Sequence, residues 1–155
     1  MKKLDAYYNK NNTLKDVLEV VTDTQNSSSD LFCMAVAGGD RERADKEYHL
    51  LLENGENPVS IVRILFIYFN KLLDGISVIS QSGMEAGIKK VLKPAQFRLE
   101  TSVRRQLQIW KKENILKTLN LLLNLERQIK STGMPNELIL ERAIFQIATA
   151  AKRSM

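Results

Sequence analysis

The chain has 155 residues, 44% of them hydrophobic and 26% charged, and a formal net charge of +5. That length holds one domain with a substantial core, alone or with a short appendage, and the balance is that of an ordinary soluble globular protein. No apolar run reaches the ~18 residues of a membrane span. No apolar segment follows Lys2 and Lys3 as a secretory signal requires, and the single cysteine, Cys33, excludes an internal disulfide and fits a reducing compartment, the cytoplasm.

Apolar residues recur at helical spacing along the whole chain. Thr13 followed by Asp16 resembles a capping box, with Leu14, Val17, Leu18 and Val21 on the buried side. The polar stretch TDTQNSSS over residues 22–29 is a linker. A helix then starts near Asp30, placing Leu31, Met34 and Ala35 on one side, and ends at Gly38-Gly39. Asp40 caps the next helix, which runs to Asn54 with Ala44, Tyr48, Leu51 and Leu52 inward and stops at Gly55. Asn57 caps a third, with Pro58 in its first turn, where its missing N–H costs nothing.

That third helix reaches about Gln81. Val62, Leu65, Phe66, Phe69, Leu72, Leu73 and Ile76 form one stripe; Ile61, Ile64 and Tyr68 form a second. A helix apolar on nearly all sides belongs inside others. Gly75 predicts a kink or a close crossing, and ISVIS at 76–80 stays helical because the period of 3.6 continues through it. After Gly83 come a short helix over 85–92, a helix opened by Pro94, and one over about 113–130 with Ile115, Leu119, Leu122, Leu125 and Ile129 on its inner face, widened by Leu116 and Leu123. Gly133 and Pro135 precede a last helix whose inner positions are Leu140, Ala143, Ile144, Ile147, Ala148 and Ala151. The pattern specifies an all-α bundle of about six main helices over residues 27–155, behind a short helical piece in 1–26. Phe66, Phe69, Leu72, Leu122, Ile144 and Ile147 are expected in one core.

The charge is uneven. Lys89, Lys90, Lys93, Arg98, Arg104, Arg105, Lys111 and Lys112 face Glu100 alone, so residues 89–112 carry eight positive charges against one negative. On a continuous helix Arg98 and Arg105 share a face, as do Arg104 and Lys111, while Phe97, Val103, Leu107 and Trp110 point inward. This is a candidate surface for DNA or an acidic partner, or simply a solvated face. A nucleic-acid reading uses Trp110 as a stacking platform beside Lys111 and Lys112.

Catalytic signatures are missing from the sequence. His49 is the only histidine, so supply argues against a His-rich metal site or a Ser-His-Asp triad, and it is expected on a helix surface. Cys33 has no CxxC partner and reads as a small buried hydrophobe. Neither GxxxxGK[ST] nor GxGxxG occurs. No cofactor, metal or small-molecule substrate is indicated, and the chain does not read as an enzyme.

The order of signals resembles one family. DLFCMAVAGGDRERADKEYHLLLENGENPVSIVRILFIYFNKLL, then KPAQFRLETSVRRQ, then LERQIKSTG and LILERAIFQIA follow the C-terminal part of the delta subunit of the bacterial DNA polymerase III clamp loader. The carrying pieces are Gly39-Asp40, Gly55 to Pro58, Glu126 to Gly133 and Leu140 to Ala143. The resemblance implies that residues 1–26 are the end of an AAA+ lid, with AYYNKNNTLKDVLEVVTDT inside it, and that residues 27–155 are the collar. It implies a non-catalytic part of the polymerase III holoenzyme that assembles the loader pentamer, with tau/gamma-like and delta-prime-like subunits as partners, DNA as a further one, and no membrane. The family's clamp-contacting AAA+ module is not represented in these residues.

Overall fold

The computed structural model describes residues 28–131 and 136–154. The chain divides into two compact units, Met1–Asp30 and Leu31–Met155. The capping box at Thr13 and Asp16 and the turn at Gly133 and Pro135 lie outside the described residues. Every regular element among the described residues is helical: α1 over 28–37, α2 Arg41–Glu53, α3 Pro58–Ser82, α4 Met84–Val91, a 3-10 segment Pro94–Leu99, α5 Glu100–Ile109, α6 Lys112–Ser131 and α7 Asn136–Arg153.

The caps are where the sequence places them. Asp40 accepts from the Arg43 N–H at 3.1 Å, and Asn57 from the Ser60 N–H at 2.9 Å. Each satisfies one of the amide groups left without a partner in a first helical turn. Gly39 has φ +79, and a Cβ there would stand 2.9 Å from the Lys152 nitrogen. The turn between α1 and α2 therefore needs glycine twice, for its left-handed backbone and for its approach to the end of α7.

The central helix, α3, packs against α4, α5, α6 and α7, while α2 packs on α7. It buries Ile61, Val62, Leu65, Tyr68, Phe69 and Leu72. Gly75 produces a close crossing: a Cβ on it would meet the Gly87 carbonyl oxygen at 2.9 Å, and one on Gly87 would meet the Gly75 carbonyl oxygen at 2.9 Å and Ile79 Cγ1 at 2.7 Å. α3 and α4 thus touch backbone to backbone. On the other side Phe69 is fully buried, with Trp110 edge-on at 5.0 Å. Glu126 of α6 accepts from Lys130 at 3.1 Å and from Arg63 of α3 at 3.3 Å. Its carboxyl is held below the usual carboxylate range, first by Lys130 and then by Arg63.

Inward assignments change at Phe66 and Phe97, and again at Leu116 and Leu123 of α6. Phe66 flanks the core, half-buried, rather than lying within it. Phe97 is 69% exposed. Pro94 opens a 3-10 segment with a break at Gln96 (φ −99, ψ 21), and the α-helix starts only at Glu100. At three residues per turn the α-helical period no longer predicts direction, and Phe97 rotates outward.

Phe69→Ala should lower the unfolding free energy by about 3–5 kcal/mol, measured by urea denaturation; a loss below about 1 kcal/mol would contradict full burial. Gly87→Ala should lower the thermal midpoint, because overpacking of about 1–3 kcal/mol exceeds a helix-propensity gain of at most ~1 kcal/mol. A raised midpoint would mean that α3 and α4 can separate at no cost.

Candidate interaction surface

The basic segment is broken into pieces by the fold. Lys89 and Lys90 occupy the last turn of α4, where cations complement the helix dipole. Lys93 precedes the 3-10 segment, its N–H donating to Gln96 Oε1 at 2.9 Å, and Arg98 lies within that segment, exposed. Arg98 and Arg105 are therefore not on one continuous helix, and their shared face is lost. Arg104 and Lys111 are separated as well, since α5 ends at Ile109 and Trp110 turns extended (φ −85, ψ 129) before α6.

Arg104 is engaged. Its Nη2 donates to Glu85 Oε2 at 2.6 Å and Glu100 Oε2 at 3.1 Å. These bonds, Glu85 first, push its guanidinium further up from an already high value, and they cancel its charge locally. Glu85 lies outside the 89–112 window, so a count within the window overstates its field.

Trp110 does not belong to the surface. It is 4% exposed, and its indole N–H donates to the Ala37 carbonyl at 2.8 Å. A ring so placed cannot stack on a base. Lys111 and Lys112 follow at the start of α6, both exposed. Cations at a helix N-terminus oppose the macrodipole, so local helix stability does not explain them.

The apolar surface is organised. Among the described residues the exposed large hydrophobics are Leu50, Ile67, Phe97, Leu116, Leu123, Leu138 and Phe145. Four of these seven lie on the last two helices. Leu116 and Leu123 are seven apart on α6, and Leu138 and Phe145 are seven apart on α7, so each pair marks one outward stripe. Leu116 and Leu123 thus lie on the outer face instead of widening the inner one.

A cleft of about 910 Å³ opens between α2 and α7. Arg41 lies over the Phe145 ring, 5.0 Å from its centre. Tyr48 closes the inner side, its hydroxyl donating to the Glu137 carbonyl at 2.7 Å. Sequence reasoning missed this cleft, because the separation between two helices far apart in the chain leaves no local signal.

These features define a helical bundle domain that ends in two helices with apolar stripes facing out. The family described as DNA polymerase III delta subunit, C-terminal domain, matches residues 30–147, and the chain belongs to that family. Comparison with curated proteins and with solved structures returns no match.

If DNA phosphates touch the basic segment, Lys111→Ala with Lys112→Ala should flatten the dependence of log affinity on log salt by about 0.9 for each lysine in contact. Arg104→Ala should leave that slope unchanged. Fluorescence anisotropy with a duplex oligonucleotide at stepped salt measures both, and an unchanged slope in the double lysine variant removes the DNA contact.

Proposed function

We propose that residues 27–155 form the collar of a clamp-loader delta subunit, the domain that holds the subunit in a ring of homologous neighbours during DNA replication. The carrying observation is the family match over residues 30–147, which spans nearly all of the helical unit. In this reading residues 1–26 are the end of the preceding lid, and the boundary between compact units at Asp30 and Leu31 supports that division. The domain has no chemistry of its own and acts in the cytoplasm. No helix among the described residues is long and apolar enough to cross a membrane.

The partners in this reading are tau/gamma-like and delta-prime-like subunits. The stripes on α6 and α7 supply the contact: apolar anchors that leave water at an interface carry most of its affinity. Exposed stripes on an isolated domain are otherwise a solubility liability.

A second reading, direct DNA contact, is favoured by one observation. Lys89, Lys90, Lys93, Arg98, Lys111 and Lys112 are exposed, and none is in an ion pair with a carboxylate among the described residues. Lys111 and Lys112 also stand at the N-terminal end of α6, where amide groups and cations together suit phosphate.

Leu116→Asp, Leu123→Asp and Phe145→Asp in one chain should abolish co-elution with the other loader subunits in gel filtration while leaving the far-UV circular dichroism unchanged. Recovery of the sliding clamp with no other loader subunit would overturn the collar assignment. Undiminished co-elution of the triple variant would place the contact away from α6 and α7.

A further inference from the structure

The rim of the α2–α7 cleft carries a donor set that the collar reading does not use. Asp45 and His49 stand one turn apart on α2, so they share a face. Glu141 reaches the same point from α7. His49 Nε2 lies 3.3 Å from Asp45 Oδ1 and 3.6 Å from Glu141 Oε2. One donor atom from each of the three fits within 4.8 Å of the others, and this is the one such grouping of three or more potential ligands among the described residues.

The spacing matches a metal's requirements. Zinc binds imidazole nitrogen at about 2.0–2.1 Å and carboxylate oxygen at about 2.0–2.2 Å, which sets donor separations of roughly 3.4 Å around a tetrahedron. Two of the three separations already stand near that value. The third closes by rotating Glu141, whose side chain is 43% exposed and has room to turn. The scarcity of histidine argues against a His-rich site, but one histidine with two carboxylates is enough for a zinc-class ion. Nitrogen among the donors favours such a metal over calcium or magnesium, which take all-oxygen sets.

Arg41, which lines the same cleft, is held over the Phe145 ring.

We propose that Asp45, His49 and Glu141 form a binding site for a divalent transition metal of the zinc class, with water as its fourth ligand, that staples α2 to α7. Bound metal fixes the register of α7 one turn from Phe145, since Glu141 and Phe145 are four residues apart on the same helix. The competing arrangement is the same contact of His49 with the two carboxylates and no metal.

Calorimetric titration of the 155-residue chain with zinc chloride, with magnesium chloride in excess, should show one ion bound per chain. His49→Ala and Glu141→Gln should each weaken binding about tenfold or more. Cys33→Ser should bind as the parent does, because Cys33 is buried away from solvent. Zinc should raise the thermal unfolding midpoint of the parent and not that of Glu141→Gln. All three ligands are partly exposed, so the variants keep the fold, which circular dichroism checks. No saturable binding, or equal affinity in His49→Ala, overturns the site. Equal affinity in Glu141→Gln, or a parent midpoint that zinc does not move, overturns the staple between helices. None of these outcomes depends on loader assembly, so the collar reading stands or falls separately.

Discussion

One buried indole ties the domain together. Trp110 stands where α5 stops and α6 has not begun, and its N–H ends on the Ala37 carbonyl at the close of α1. Its ring meets Phe69 edge-on in the middle of α3. An indole N–H buried without an acceptor costs about 1–3 kcal/mol, so α1 has to be in place for α5 and α6 to close over α3. A second contact repeats the link: the Tyr68 hydroxyl of α3 donates to Gln106 of α5, whose amide donates to Met34 of α1 at 3.4 Å. Gln106 is 1% exposed. Three elements distant in sequence are therefore joined by directional polar contacts, which selects one packing from the many that apolar burial alone would allow.

The same junction shapes the basic surface. With Trp110 drawn inward, the chain cannot continue α5 into α6, and the run of cations is cut. Arg104 is left on α5 beside Glu85 of α4, while Lys111 and Lys112 are carried to the start of α6. Charge that looks continuous along the sequence is thus divided among α4, the 3-10 segment, α5 and the start of α6, with Arg104 neutralised.

α7 does the most varied work. Its inner side, Leu140, Ala143, Ile144, Ile147, Ala148 and Ala151, is buried. Its outer side carries Leu138 and Phe145, and its flank contributes Glu141 to the cleft shared with α2. Small residues at Ala143, Ala148 and Ala151 let the helix lie close to its neighbours, and the Gly39 turn takes advantage of that near Lys152. A single helix thus joins core, cleft and outer stripe, so any ligand or subunit that fixes α7 also orders the surface beside it.

Helix starts, stops and inner faces were legible in the sequence because they are set locally. Asp40, Asn57 and Pro58 act within one turn, and the 3.6-residue period named all six inner positions of α7. Gly75 likewise announced a close crossing, although not that Gly87 would be its partner. The period failed from Pro94 to Leu99, where the chain winds as a 3-10 helix and Phe97 turned outward, and it widened the inner face of α6 too far, since Leu116 and Leu123 are exposed. The readiness of Trp110 to stack on a base depended on an acceptor 73 residues away. The neutralisation of Arg104 depended on Glu85, and the donor set at the cleft on Glu141 meeting Asp45 and His49. Local backbone chemistry and hydrophobic periodicity determine helices and their buried sides. Which charges survive, which aromatics are buried and which side chains meet are decided by distances between helices, and those exist only once the core has closed.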